Sequence, residues 1–273
     1  MPKPSLIVTD NNNLDPVWHQ PLQLPSLNSD QVHLWRAGLE RTEGEIEALS
    51  TLLSADEFER ANRFRFAQHR RRFIVARGIL RHLLGGYLKT NPQSLIFAYG
   101  AQGKPLLAQT QQDSILQFNL SHSQEHVLLG FTLNHPLGVD LEYQRPMPDA
   151  LKIARRFFSF GESKMLEETK IEQQAQLFFQ LWTAKEACLK AVGTGLADSL
   201  ASVEFTFDHS NSLSLQTVRA DLGMTADWSL FSFVPFSNYS AAIAINAPIL
   251  KQNINYWHWH SNLSIAVNHN FYP

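Results

Sequence analysis

The stretch Leu181-Trp-Thr-Ala-Lys-Glu-Ala-Cys-Leu-Lys-Ala-Val-Gly-Thr-Gly-Leu196 places one acid and two bases in a segment that reads as helix. On a helix Glu186 and Lys190 fall one turn apart on a common face, with Lys185 about 100° around the axis. Taken alone, this is the i,i+4 pair that decorates many exposed helices. A second segment, Gly138-Val-Asp-Leu-Glu142, alternates in character. When extended, it turns Asp140 and Glu142 to one face and sends Val139 and Leu141 toward a core. Neighbouring carboxylates repel each other and weaken a strand that offers them no partner. A hard divalent cation removes that repulsion, and Mg2+ is usually held by one or two carboxylates together with substrate phosphates. The plain alternative is a solvated acidic strand end.

Between Arg60 and His82 stand eight arginines (60, 63, 65, 70, 71, 72, 77 and 81) and no acid, in a chain whose formal net charge is only −2. Such a local excess of cations implies an anion site or an exposed basic face. Arg72, Arg77 and Arg81 are spaced so that at least two share a helix face. No recognised nucleic-acid-binding motif accompanies them, so a phosphorylated small molecule is the better fit. Two short segments are expected as turns: Gly103-Lys104-Pro105 and Ser121-His122-Ser123. Hydroxyls, imidazolium and free backbone N–H groups in turns are good phosphate donors.

The elements that must position these groups follow from pattern. Residues 1–30, rich in Pro, Asn and Ser, read as an irregular lead-in. Gln31–Arg36 alternates as a strand. Ser54-Ala-Asp-Glu57 has capping-box spacing and opens a helical region running, with breaks, to about Leu88. Gly85-Gly86 and Asn91-Pro92 read as stop signals. Strands are expected at 94–99, 114–120, 127–133 and 137–142. Then the order repeats: a helix start at Ser159–Glu162, a long helix over 174–192 ending at Gly193, and strands at 202–207, 228–234 and 239–246. Ser94–Tyr99 and Ser202–Phe207 share an apolar pattern at a shift of 108 residues, which sets Arg77 opposite Lys185. The fold class is therefore α+β, with two tandem halves read as a duplication in preference to two independent units of similar size. Each half has a small, mainly antiparallel sheet packed with a long helix. The halves are expected at 1–136 and 137–250, followed by an extension over 251–273, with a cleft between the halves for ligand.

Composition sets outer bounds. In 273 residues, 44% are hydrophobic and 18% charged, a globular balance that excludes whole-chain disorder. With 23 basic against 25 acidic residues, bulk charge calls for neither nucleic acid nor a membrane. The single cysteine, Cys188, suits a reducing cytoplasm and reads as inert packing. The N-terminus has no secretory pattern, and no apolar run spans a membrane.

Together and in this order, several pieces resemble the surfactin-synthetase-type 4′-phosphopantetheinyl transferases. They are the Arg-rich helix, Gly103-Lys-Pro105, Phe118-Asn-Leu-Ser-His-Ser123, Gly138-Val-Asp-Leu-Glu142, Arg156-Phe-Phe-Ser159 with Glu162, and Trp182-Thr-Ala-Lys-Glu-Ala with Lys190. The resemblance spans roughly residues 54 to 196. It implies a monomer of two pseudo-twofold-related α+β halves that binds coenzyme A between them. That monomer would transfer the phosphopantetheine arm, with Mg2+, to a serine of an apo acyl or peptidyl carrier protein. Carried over by position, Asp140, Glu142 and Glu186 are implied metal ligands. Lys185 and Lys190 are implied pyrophosphate contacts. Arg72, Lys104, Ser121 and His122 are implied contacts of the nucleotide phosphates, with Arg77 in the same coenzyme-binding set. Glu162 matches the position of a general base, with Glu186 as its rival, and Lys190 would neutralise or protonate the leaving phosphate.

Two other classes share these residues. A module that holds coenzyme A or a carrier without turnover would not need the intact acids and Lys190, whereas a Mg2+-dependent phosphohydrolase would release phosphopantetheine with no carrier present. Glu162 also has a plain reading, as the N3 acid of the Ser159 capping box. Trp257-His-Trp-His260 puts His258 and His260 on one face and reads as a strand covering the first half rather than as a metal pair.

Overall fold

The computed structural model describes residues 16–100, 103–108, 115–193, 200–207, 213–218 and 227–265. The chain runs through β1 (Val32–Gly38), α1 (Glu43–Ser50), α2 (Ala55–Asn62), α3 (Ala67–Leu88), β2 (Phe97–Tyr99), β3 (Pro105–Leu107), β4 (Leu116–Ser123) and β5 (His126–Leu133). It then repeats that order through β6 (Leu137–Tyr143), α4 (Ala150–Phe157), α5 (Phe160–Glu168), α6 (Ile171–Val192), β7 (Val203–Phe207), β8 (Leu213–Val218), β9 (Ser229–Phe233) and β10 (Tyr239–Ile245). The sheets repeat as well, with antiparallel orders β1-β5-β4 and β6-β10-β9 and the small pairs β2-β3 and β7-β8. A final strand, β11 (Ile254–His258), joins the first sheet parallel to β1. Residues of the lead-in lie along it and along the segment beyond it, with isolated bridges His19–Trp257 and Gln23–Ser264. His258 and His260 take separate partners there, Arg36 Nε and the Pro21 carbonyl. None of the described helices is long and apolar enough to cross a membrane.

Three buried clusters hold the layers together. One fills the space between α3 and the first sheet, where Trp35, Ala37, Leu129 and Phe131 meet Ile79, Leu80, Leu83 and Leu84. Another lies under α6. The third joins the halves: Val32, Leu34 and Leu128 from the first sheet pack against Leu137, Val139, Leu141, Ile243 and Ile245 from the second. β1 is consequently buried on both faces, and the alternation that suggests a half-solvated strand instead separates two cores. Its His33 is 1% exposed, meets the Tyr87 hydroxyl at 2.7 Å, and is lowered by burial to a pKa of about 4.

The duplication is offset differently from the expectation. The short 3-10 turns Pro92–Ser94 and Leu200–Ser202 do stand 108 residues apart, but the two 22-residue helices α3 and α6 stand 104 apart. The counterpart of Lys185 is therefore Arg81 rather than Arg77. Gly85 and Gly86 do not stop α3, which continues to Leu88 and ends on Lys89 at φ 52°. They admit close neighbours, since a Cβ at either would fall 2.6 Å from Pro92 or Leu24. Ser121-His122-Ser123 is the end of β4 and not a turn; the turn follows at Gln124. Two helices, α1 and α4, have no counterpart in the sequence reading, although Thr42 and Glu45 form a complete capping box at the start of α1.

The tightest contact in the second half is between β6 and α6. A Cβ at Gly138 would lie 2.0 Å from the Ala187 carbonyl oxygen and 2.5 Å from the Ala191 nitrogen, so helix backbone rests directly on strand backbone. Gly138→Ala must push α6 outward, and overpacking of a filled site costs about 1–3 kcal/mol, occasionally more. The variant is expected to lose at least about 2 kcal/mol in urea denaturation. An unchanged midpoint and slope would contradict this packing.

Candidate active site

β4 of the first half and β6 of the second run side by side without a backbone ladder, and side chains bridge the seam. Asn119 Oδ1 accepts the Val139 N–H at 2.9 Å, and the Ser121 hydroxyl donates to Asp140 Oδ1 at 2.9 Å. The Ser123 hydroxyl donates to Glu142 Oε2 at 3.1 Å and accepts the Tyr143 N–H at 3.1 Å. Positions 119, 121 and 123 share one face of β4 because the strand period is two. Asp140 and Glu142 share the α6 side of β6, with Val139 and Leu141 fully buried behind them, as the alternation implied.

Because α6 lies so close, its Glu186 and Lys190 reach this seam. Lys190 Nζ stands 2.6 Å from Asp140 Oδ1 and donates to Ser121 Oγ at 2.9 Å. A cavity of about 360 Å3 opens here between the halves, walled by Glu186, Leu189 and Lys190 of α6, Asn119, Leu120 and His122 of β4, and Lys104 with its flanking Gly103 and Pro105. Phe73, Ala76 and Arg77 of α3, with Arg60 and Phe64, close the first-half wall. Arg77 is 6% exposed, lies near the rings of Phe73, Phe97 and Tyr99, and keeps a buried Nη1 with no hydrogen-bond partner among the described residues. Lys104 Nζ donates to the Lys190 carbonyl at 2.6 Å, a cation at the C-terminal end of α6. Burial first, and the Lys190 charge second, lower Lys104 to a pKa of about 8. His122 opens into the cavity, where desolvation and then the charges of Lys190 and Arg72 hold it below the usual imidazole value.

The acids are short of positive charge. Burial and then the Asp140 carboxylate push Glu186 up to about 7 and also raise Glu142. Among the described residues Asp140 Oδ2 and Glu186 Oε1 are buried with no hydrogen-bond partner, a state that costs free energy until something fills it. Among the described residues no group of three His, Cys, Asp or Glu is gathered closely enough to hold a metal ion by itself. Orphaned carboxylate oxygens beside a cation-lined cavity nevertheless fit Mg2+, which takes few protein ligands and completes its shell from water and phosphate oxygens.

Three expected contacts lie elsewhere. Arg72 is not on the cavity wall; its Nε and Nη2 fork onto Glu40 Oε1 at 2.9 and 2.8 Å. Lys185 is fully buried, 2.7 Å from Glu162 Oε2 and bound to the carbonyls of Leu200 and Val203, so it does not face a pyrophosphate. Glu162 is equally buried and caps α5, accepting the N–H groups of Ser159 and Phe205 at 2.9 and 3.0 Å, so it does not face an acceptor hydroxyl. Cys188 is packed, and its thiol is pushed up to about 12 by burial. The sequence reading missed Asn119 and Ser123 as seam bridges, although their period-two spacing with Ser121 was visible. It also missed Phe64 and Phe73 as wall residues.

Against this geometry, comparisons with known proteins agree in one direction. Residues 136–266 match the 4′-phosphopantetheinyl transferase superfamily model, and residues 38–132 match the model described as 4′-phosphopantetheinyl transferase, N-terminal. The chain is 42% identical over 234 residues to the 4′-phosphopantetheinyl transferase HetI of Nostoc sp., covering 86% of this chain and 94% of that protein. It is 36% identical to a putative 4′-phosphopantetheinyl transferase of Synechocystis sp., covering 84% and 87%, and 27% identical to the transferase Sfp of Bacillus subtilis, covering 63% and 74%. The chain belongs to the 4′-phosphopantetheinyl transferase family.

The raised Glu186 gives a sign to pH dependence. Its folded pKa of about 7 lies above the ordinary 4.5, so between these values the native state holds more protons than the unfolded one. Without divalent cation, stability should fall as pH rises through that window, by up to about 3 kcal/mol. Mg2+ favours the carboxylate, so it should raise the melting temperature more near pH 8 than near pH 5.5. Glu186→Gln should flatten both trends, and an equal Mg2+ effect at the two pH values would contradict the assignment.

Proposed function

We propose that the cleft between the halves carries out the family reaction with coenzyme A as donor and a serine of an apo acyl or peptidyl carrier protein as acceptor. The observation that carries this reading is that Glu186, Lys190, Lys104, His122 and Arg77 line one cavity, while Asp140, paired with Lys190, and Glu142, close enough to act on Glu186, stand behind it at the seam. The serine oxygen attacks the β-phosphorus, forming a P–O bond as the bond to the bridging oxygen breaks, and 3′,5′-adenosine diphosphate leaves. Negative charge grows on the bridging and equatorial oxygens, so fixed cationic donors stabilise the transition state. Asp140, Glu142 and Glu186 would hold Mg2+, which supplies further charge neutralisation at the phosphates.

Lys190 would meet the leaving phosphate, a role supported by its reach from Asp140 to the cavity. Lys104, His122 and Arg77 meet the nucleotide phosphates. Ser121, hydrogen-bonded to both Asp140 and Lys190, orients those two groups and need not touch phosphate itself. Glu186 replaces Glu162 as the candidate acceptor of the serine proton, because it lines the cavity while Glu162 is buried away from it. Both walls come from one chain, which supports action as a monomer.

The test is incubation with coenzyme A, Mg2+ and a panel of apo carrier proteins, read by intact mass. The expected result is a carrier that gains one phosphopantetheine, which separates transfer from mere binding. Phosphopantetheine released without any carrier would favour the hydrolase reading. Asp140→Asn should abolish transfer while leaving the melting temperature within a few degrees. Coenzyme A should raise the melting temperature more than dephospho-coenzyme A, because only the former presents a 3′-phosphate to the cations. Equal stabilisation by the two would remove the case for a 3′-phosphate pocket.

A further inference from the structure

The two halves share a buried device that the cleft chemistry does not use. In the second half, Ser159 and Glu162 form a capping box at α5, and Glu162 reaches Lys185 of α6 at 2.7 Å. In the first half, Ser54 and Glu57 form a capping box at α2, and Glu57 Oε2 reaches Arg81 Nε of α3 at 2.6 Å. Glu57 and Arg81 are each 1% exposed, Glu162 and Lys185 not at all. Each cation also binds backbone carbonyls just beyond its helix: Arg81 binds that of Pro92, and Lys185 those of Leu200 and Val203. The groups facing the cleft differ between α3 and α6, but a capping-box glutamate paired with a buried helix cation recurs, with arginine in one half and lysine in the other.

We propose that Glu162–Lys185 is a positioning pair that fixes the rotation of α6, and that Glu57–Arg81 is its duplicate for α3. The three N–H bonds of Lys185 match three acceptors, which leaves no donor for a phosphate. Lys185 sits about 100° from Glu186 around the helix, so pinning one aims the other into the cleft. Lys190, one turn beyond Glu186, is aimed with it. On α3, Arg77 lies one turn before Arg81 and is within 3.5 Å of Glu57 Oε1, so the duplicate pair aims a cavity-wall cation. A misplacement of about 1 Å at a reacting group can cost on the order of 100-fold in rate, which is the leverage such a pair has. The inference deepens the cleft assignment above and rests on it.

A double-mutant cycle on the full chain tests it, with Glu162→Gln, Lys185→Gln and both together, read by melting temperature, kcat and KM for coenzyme A. Each single substitution leaves its partner buried and unpaired, and should lower the melting temperature by about 10 °C and reduce kcat. The double variant should fall no further than the worse single one in either quantity, with KM within about twofold of the parent. A tenfold higher KM for Lys185→Gln at unchanged melting temperature, persisting in the double, would overturn the proposal in favour of phosphate contact. A 100-fold loss of kcat for Glu162→Gln at unchanged melting temperature, multiplying in the double, would overturn it in favour of a general base. If a single variant does not fold, the double decides. A folded double with KM near the parent value supports the proposal, and a double that fails to fold or shows a tenfold KM overturns it. A parent chain without transfer activity would sink the functional reading, while the coupling in melting temperature would still report on the pair.

Discussion

The close approach of α6 to β6 governs this molecule. Where Gly138 faces Ala187 and Ala191, no side chain separates the helix from the strand, and the missing Cβ sets the distance for everything on both elements. Small residues continue that surface, since Ala242 and Ala244 of the neighbouring β10 belong to the same buried cluster beneath the helix. At that distance Lys190 can pair with Asp140, and Glu186 feels both strand carboxylates. The site is thus built from regular elements held by backbone contact, which keeps its geometry tight.

Across the seam the logic is different. The sheets share an apolar core, but the edges of β4 and β6 are linked by Asn119, Ser121 and Ser123 in place of main-chain pairing. Those side chains satisfy backbone and carboxylate groups, and Ser121 of the first half holds the Asp140–Lys190 pair of the second. The same junction that binds the halves also arranges their charges. Lys104 adds a second tie, because its ammonium reaches from the first half to the end of α6.

Much of this was legible in the sequence, for physical reasons. Period-two alternation gave the faces of β6 correctly, because one side of that strand meets core and the other meets polar partners. Gly193 marked the end of α6, and Ser159 its capping box on α5, because both depend on local backbone chemistry. The roles of Lys185 and Glu162 were not legible. Nothing in Trp-Thr-Ala-Lys-Glu tells which of two adjacent charged residues turns inward, since that depends on where α5 and the segment after α6 lie. Arg72 was hidden in the same way, by Glu40 arriving from a distant turn. The pairing of Arg81 with Lys185 was blurred by unequal loops, which moved the common offset from 104 in the helices to 108 just beyond them.

The equal lengths of β1 and β6, and of α3 and α6, carry a consequence for stoichiometry. Aligned end to end, the strand positions of Asp140 and Glu142 are held in the first half by Trp35 and Ala37, and those of Glu186 and Lys190 by His82 and Gly86. Trp35 fills its place completely, with its ring N–H on the Tyr87 hydroxyl, and His82 accepts a hydrogen bond from Trp259. The scaffold is present twice, but one copy of the acidic hollow is plugged with aromatic core. A duplicated chain of this design carries one acidic hollow rather than two, and its first half supplies the wall opposite it.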